Sequence, residues 1–214
     1  MTLPKIFAFL SLLTTAPLIL VASADLPGGP EFFAAAQKAG DKWNYGSVGN
    51  GSVAHLGMEL LKSRAPGLAP VHVPYQGNAP VITAMLGGQI QLSLIPPGLA
   101  MPQVKAGKLR AIGVTSARSS ALVPEVPSLT DAGVRDFNLE VWTALIGPAN
   151  LPKAAQDKLS AEVAKIYSDT DIQRKLLASG WQPVGSTAEG LRQRVRDEAA
   201  LLGNIISARG IKLD

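Results

Sequence analysis

The chain has 214 residues, enough for one domain or two small ones, and a chain of this length buries roughly 70% of its unfolded surface without needing staples. It contains no cysteine and two histidines, which excludes disulfides, zinc–thiolate centres, cysteine catalysis and a histidine-rich metal site. Charged residues make up 17%, below the typical value of about 25%, so a disordered polyelectrolyte is excluded; the net charge of +4 is spread along the chain, which argues against a nucleic-acid footprint.

Residues 1–25 admit two readings. Lys5, the apolar run 6–21 and Ala22-Ser23-Ala24 have the form of an export leader, and the run is too weak to span a membrane because Ser11, Thr14, Thr15 and Pro17 interrupt it. Alternatively, 9–13 and 18–21 are short buried strands joined by Thr14-Thr15-Ala16-Pro17. Local pattern alone favours the leader.

Downstream, Pro27-Gly28-Gly29-Pro30 is a turn that opens a short helix over 31–39, with Phe32, Phe33 and Ala36 inward and Gly40 as its stop. Residues 44–47 read as a strand, Gly49-Asn50-Gly51-Ser52 as a loop, and 53–63 as an amphipathic helix carrying Leu56, Leu60 and Leu61. Strands at 71–73, 91–95 and 110–114 alternate with helices at 79–86 and near 99–106. This alternation predicts α/β units with parallel strands. After Thr115 the pattern changes. Pro124 and Pro127 mark a loop, 139–146 is an apolar strand, and 152–167, 171–179 and 188–208 are helices that need a sheet to cover.

The stretch from Tyr45 to His55 carries the most chemistry. A strand, a glycine-rich turn and a helix start bring backbone N–H groups close to a ligand. Ser52 is placed to cap the helix, whose dipole favours a carboxylate or phosphate. A glycine turn with a serine cap and no ligand is the competing reading, and by motif alone the more common one. The stretch lacks the Gly-Lys-Ser/Thr of a phosphate loop, the Gly-x-Ser-x-Gly of a nucleophile elbow and the dinucleotide spacing. His55, one turn beyond Ser52, could touch the anion, although a lone helical histidine more often packs structurally. For His72, between two valines, the structural reading is stronger still.

A second strand end, Val73-Pro74-Tyr75-Gln76-Gly77-Asn78, falls on the same side of the sheet, where ligands of open α/β sheets bind. Tyr75, Gln76 and Asn78 offer hydrogen bonds there, or Asn78 simply caps the helix. Scattered carboxylates, Glu59 and Glu198 among them, read as solvated helix faces, so no catalytic constellation is evident. Trp43, Trp142 and Trp181 read as core or interface.

These motifs resemble the tripartite tricarboxylate transporter receptors (the Bug family), which are periplasmic solute-binding proteins. The resemblance rests on Asn44-Tyr45-Gly46-Ser47, Gly49-Asn50-Gly51-Ser52, His55-Leu56, His72-Val73-Pro74-Tyr75-Gln76-Gly77 and Leu86-Gly87-Gly88-Gln89. It continues through Lys105-Ala106-Gly107-Lys108-Leu109-Arg110, Val114-Thr115-Ser116, Pro124-Glu125-Val126-Pro127 and Gly210-Ile211-Lys212-Leu213-Asp214, and so covers essentially the whole chain. In the family, a segment like residues 12–21 is internal, which reverses the preference for a leader and implies a receptor lacking about its first third.

The resemblance implies an α/β, two-lobed periplasmic-binding-protein-like fold with an incomplete first lobe. Residues 25–136 would be the second lobe, and 1–24 with 137–214 the rest of the first. It implies a small carboxylate ligand, no cofactor, no metal, and membrane transporter subunits as partners. The binding residues would be Ser47, Gly49, Asn50, Gly51, Ser52, His55, Tyr75, Gln76, Gly77 and Asn78, with Thr115 a further pocket candidate. Ile95-Pro96-Pro97-Gly98, where many relatives are polar, points to a ligand with one carboxylate and an apolar body. The tail helices would lose the sheet they cover, exposing apolar surface that drives self-association or poor solubility. The alternatives are an anion-dependent acyl or phosphoryl transferase, with His55 as base and Ser52 as nucleophile or positioning group, and a nonfunctional fragment.

Overall fold

The structure, a computed structural model, describes residues 6–212. In chain order its elements are β1 (Phe7–Pro17), β2 (Ile19–Ser23), α1 (Pro30–Ala39), a 3-10 turn (Gly40–Lys42), β3 (Asn44–Ser47), α2 (Val53–Arg64), β4 (Val71–Pro74) and α3 (Asn78–Leu86). There follow β5 (Leu92–Ile95), α4 (Pro97–Lys105), β6 (Leu109–Val114), β7 (Glu140–Pro148), α5 (Lys153–Tyr167), α6 (Thr170–Ala178), β8 (Gln182–Pro183) and α7 (Ala188–Arg209). Every helix and strand expected from periodicity after residue 30 is present. The short β8 and the 3-10 turn carry no periodic signal, and the pattern does not announce them. Of the apolar N-terminal segment, 7–17 and 19–23 are strands, two strands as the second reading has it, but Thr14-Thr15-Ala16-Pro17, expected to connect them, belongs to the first. Lys5, and Leu213 and Asp214 of the terminal motif, lie outside the described residues.

The chain divides into two compact units, one of Pro17–Glu140 with the residues from Leu202 on, the other of Val141–Leu201 with those up to Ala16. The expected boundary at 25 therefore falls at 17. The reason is β2, whose Ile19, Leu20, Val21 and Ala22 are inaccessible to solvent because the strand sits inside the larger unit's sheet.

In that unit the strand order is β4-β3-β5-β2-β6. β3 pairs in parallel with β4 and β5, and β2 pairs antiparallel with both β5 and β6. The parallel α/β sheet expected from sequence thus carries one reversed strand. Flanked on both sides, β2 reads as a continuous apolar run, as buried strands do. Ile19, Val21 and Ile95 join Val81, Ala84, Met85, Ala100 and Met101 of α3 and α4 in one cluster. Side chains alternate along a strand, so Leu94 faces the other way, against α2.

Gly57 makes that second contact possible. A Cβ at this position would stand 2.6 Å from both Leu94 Cδ1 and Leu139 Cδ2. Alanine is intrinsically better in a helix by about 1 kcal/mol, but overpacking costs about 1–3 kcal/mol. Gly57→Ala is therefore expected to destabilise, by up to about 2 kcal/mol net, in urea unfolding. A stabilised variant would show that α2 does not bear on the sheet.

Thr115, expected in the pocket, is instead a buried tie. Its Oγ1 accepts from Leu18 N–H at 2.8 Å and donates to Leu18 O at 3.2 Å, and its backbone N–H donates to the same carbonyl at 2.9 Å.

The smaller unit has a three-stranded sheet, β7-β1-β8, with Thr14 opposite Pro183 and Thr15 opposite Gln182. Ser186 extends this pairing: its carbonyl accepts from Ser11 Oγ at 2.7 Å and its Oγ from Leu12 N–H at 3.0 Å. Phe9, Leu12 and Leu191 form the core, with Phe7, Trp142, Ala144 and Val195 against it. The Trp142 indole N–H donates to Glu198, which also pairs with Arg194, so Glu198 is not merely a solvated charge. α5 and α6 contribute only Val163 to the buried set, while Leu159, Ile166 and Leu177 are exposed.

Candidate functional site

In the larger unit the chain leaves β3 through α2 to β4 on one side, then returns through α3 to β5 on the other. The loops leaving the C-terminal ends of β3 and β5 diverge, and such switch points form the ligand crevices of open α/β sheets. The loop after β3 is the glycine-rich one. Gly49 (φ 124°) and Gly51 (φ 71°) both occupy conformations that side chains resist. Ser52 is extended and caps α2, its Oγ accepting from His55 N–H at 3.3 Å.

The loop amides are more committed than sequence suggests. Gly49 N–H donates to Ser47 Oγ at 3.2 Å, Gly51 N–H to His55 Nδ1 at 3.1 Å, and Ser52 N–H to Gly49 O at 3.3 Å. A helix leaves its first N–H groups without internal partners. With Ser52 and His55 satisfied, the N–H groups of Val53 and Ala54 are the first-turn donors that have no acceptor among the described residues. They point along the helix axis, where the dipole favours an anion. The glycines thus shape the turn, and the donors lie one step further on.

Behind the loop is a stack of three rings. His55 of α2 and His72 of β4 lie 3.9 Å apart with a 12° interplanar angle, and Tyr45 of β3 stacks on His72 at 4.9 Å. The register that sets Tyr45 opposite His72 builds this stack. His72 Nε2 is 2.6 Å from Ser47 Oγ. Burial pushes both imidazoles below their ordinary range, His72 to about 4, with the neighbouring His55 adding to the effect at His72. Tyr45 OH donates to Glu59 at 2.9 Å, and the same carboxylate pairs with Lys62 at 2.7 Å and Arg209 at 3.2 Å. Burial works against ionisation of Glu59, but these partners together hold its carboxyl below the usual range. Tyr45 is shifted upward, by burial first and then by Glu59. An open cavity of about 380 Å³ lies alongside, lined by Asn50, His55, Glu59, Lys62, Arg209 and Lys212.

The structure brings Ser47, Gly49, Asn50, Gly51, Ser52 and His55 together, and it joins the second loop to them through Tyr75 N–H, which donates to Ser47 O at 2.9 Å. The second loop otherwise departs from expectation. The Tyr75 ring, partly buried, packs against the core beside Gly46 and Val81. Gly77, not Asn78, is the cap residue of α3, and no side chain caps that helix. Gln76 is exposed. Ile95 is fully buried and Pro96 caps α4.

Sequence reasoning misses the places of His72 and Glu59 in this cluster. For His72 the signal is non-local, a parallel strand pairing; for Glu59 it is local, the 55/59/62 spacing that sets His55, Glu59 and Lys62 on one face of α2. The transferase alternative finds no support in this geometry. Ser52 Oγ faces a backbone N–H, and the His55 Nδ1 that would serve as base is occupied by Gly51. Among the described residues no group of three or more His, Asp or Glu could hold a metal ion, and no helix is long and apolar enough to cross a membrane.

Residues 5–211 match the family model described as the tripartite tricarboxylate transporter family receptor. The chain is 30% identical over 211 residues to the UPF0065 protein in the TAR-I ttuE-ttuC' intergenic region of Agrobacterium vitis, covering 95% of this chain and 60% of that protein. Among solved structures, MatC from Rhodopseudomonas palustris with bound malate aligns with a TM-score of 0.77 at 27% identity, covering 94% of this chain and 69% of that one. R. palustris Rpa4515 with adipate shares the fold, with a TM-score of 0.85 at 24% identity over 100% of this chain and 72% of that one. The chain therefore spans less than two thirds of the length of the relative from Agrobacterium vitis.

Proposed function

Because the chain belongs to the tripartite tricarboxylate transporter receptor family, we propose that it is a solute-binding protein that captures a small carboxylate in the periplasm for a membrane transporter. The observation that carries this reading is the N-terminus of α2 at the switch point, with the Val53 and Ala54 N–H groups unclaimed among the described residues and the turn preset by Gly49 and Gly51. The malate held by MatC is of the matching chemical class. The carboxylate sits against 49–52 and the first turn of α2, within the larger unit, which takes the role of the family's second lobe. The Ile95-Pro96-Pro97-Gly98 connection next to it offers no charged group. It favours a ligand with one carboxylate and an apolar remainder. Lobe closure on the ligand then presents a surface to the transporter's membrane subunits.

The test is thermal unfolding with malate, adipate and a monocarboxylate of similar length. Ligand at a hundred times its dissociation constant stabilises by about 2.7 kcal/mol, a shift on the order of 5 °C for a chain of this size. No shift with any of them would remove the carboxylate reading.

The smaller unit supports one further element of the proposal, self-association. Ile146, Leu159, Ile166, Leu177 and Val184 are each about 40% exposed or more, against a core of only a few residues. Sedimentation velocity is expected to show concentration-dependent oligomers; a monomer at all concentrations would count against it.

A further inference from the structure

We propose that the stacked His55 and His72 rings are the positioning device of the 49–52 loop. As neutral rings they hold Gly49 and Gly51 in the anion-receiving arrangement, and a proton added at His55 Nδ1 releases Gly51. The inference rests on the binding reading above for its consequence, but not for its geometry.

Each ring governs one loop amide. His55 Nδ1 accepts from Gly51 N–H at 3.1 Å, which requires an unprotonated Nδ1 and places the ring proton on Nε2. A proton at Nδ1 would turn this contact into two donors facing each other, and Gly51 would have to leave. His72 acts through Ser47. With its proton on Nε2, His72 donates to Ser47 Oγ at 2.6 Å; that oxygen also accepts from Gly49 N–H at 3.2 Å and donates its own proton to Gly49 O at 3.0 Å. Every hydrogen-bonding position of the buried Ser47 hydroxyl is then used. The two rings, 3.9 Å apart and nearly parallel, cannot both carry charge at low cost, and a charge on His72 would lie directly against the His55 ring face.

Tyr45 of β3, Glu59 and Lys62 of α2, and Arg209 and Lys212 at the chain's end face this cluster. Glu59, the group that would welcome an imidazolium, is already held by Lys62, Arg209 and the Tyr45 hydroxyl. Burial keeps both imidazoles below the ordinary range, so the neutral, loop-holding state is intact at pH 7. A depressed histidine pKa means that the ordered state binds fewer protons than the disordered one. Its advantage is therefore complete above pH 6.5 and declines as pH falls toward the folded value, about 4 for His72.

The test is nuclear magnetic resonance of the 15N-labelled chain between pH 7.5 and 4.5. At pH 7.5 the His55 ring is expected in the Nε2–H form. As pH falls, the Gly51 amide should shift with the same midpoint as the His55 ring nitrogens. His55→Ala should speed Gly51 amide exchange about tenfold or more while Val81 and Ala84 of the core keep their protection. The double variant His55→Gln/His72→Gln, with amide groups that accept and donate but do not titrate, should restore protection and remove the pH response. An Nδ1–H tautomer at His55, or a Gly51 amide that moves independently of the His55 imidazole in the unmodified chain, would overturn the proposal whether or not the variants fold. Calorimetry with malate at pH 7.5 and 5.5 separates the two readings, because malate's own protonation is common to both proteins. Equal pH dependence in the unmodified chain and the double variant overturns the relay. Absence of malate binding with the loop amides behaving as expected leaves the relay standing and counts against the carboxylate reading.

Discussion

Glu59→Ala is expected to lower the unfolding free energy by about 2–4 kcal/mol, among the largest single effects available in this chain. The carboxylate is about 5% exposed and serves three partners: the buried Tyr45 hydroxyl, Lys62 and Arg209. Removing it leaves a buried hydroxyl without an acceptor and two cations facing each other across a partly dry space. Breaking a buried pair by deleting one partner costs more than the pair contributes, because the remaining charge stays desolvated. Arg209 is partly in water, which keeps the loss below the roughly 5 kcal/mol of a fully buried pair. Glu59→Gln keeps an acceptor for Tyr45 and should recover part of the loss. Because partners hold the Glu59 carboxyl below its ordinary range, its contribution is present above pH 4.5 and fades as pH falls through the folded value. Urea unfolding of both variants at pH 7 measures this. A change within about 0.5 kcal/mol for Glu59→Ala, the range of surface substitutions, would mean that the cluster carries no stability.

Ser52→Asp is expected to abolish carboxylate binding while leaving the fold as stable as before, or slightly more so. Aspartate caps a helix as well as serine does, and a negative charge at this end complements the dipole by about 0.3–1 kcal/mol. The same charge occupies the position proposed for the ligand's carboxylate, next to the Val53 and Ala54 N–H groups. Malate affinity should fall a hundredfold or more, about 2.7 kcal/mol. Ser52→Ala should do the reverse, costing about 1 kcal/mol of stability through the lost cap with a smaller change in affinity. Calorimetry paired with thermal unfolding reads both quantities. If Ser52→Asp binds malate like the unmodified chain, the α2 N-terminus is not the site.

Several features are legible in the residues themselves because their causes are local. The 3.6-residue spacing of Leu56 and Leu60, the Pro96-Pro97 break after β5 and the glycines that close α3 act on a few neighbouring residues, and each element appears where its pattern places it. The glycine turn with its serine cap is legible for the same reason. The Ser52 contact to His55 N–H spans three residues, and the positive φ values of Gly49 and Gly51 are ones glycine adopts without strain.

What is not legible depends on neighbours distant in sequence. Residues 19–23 have the composition of a leader's apolar core, and of a strand flanked on both sides. Nothing within the segment separates the two, because β5 and β6, which bury it, lie about seventy and ninety residues away. Glu59 looks like any solvated helical carboxylate until β3 brings Tyr45 under it and the end of α7 brings Arg209 over it. His72 reads as a core histidine until the parallel register sets it beside Tyr45 and under His55.

Local pattern determined the elements, the glycine turn and the preference of its helix end for an anion, because backbone geometry and dipoles are properties of short segments. Tertiary structure alone decided which amides remain unclaimed, which histidines stay neutral and which carboxylate is buried. Hydrogen-bond partners and desolvation are set by whatever the fold brings within a few ångströms, and here those groups come from β3, β4, α2 and the end of α7.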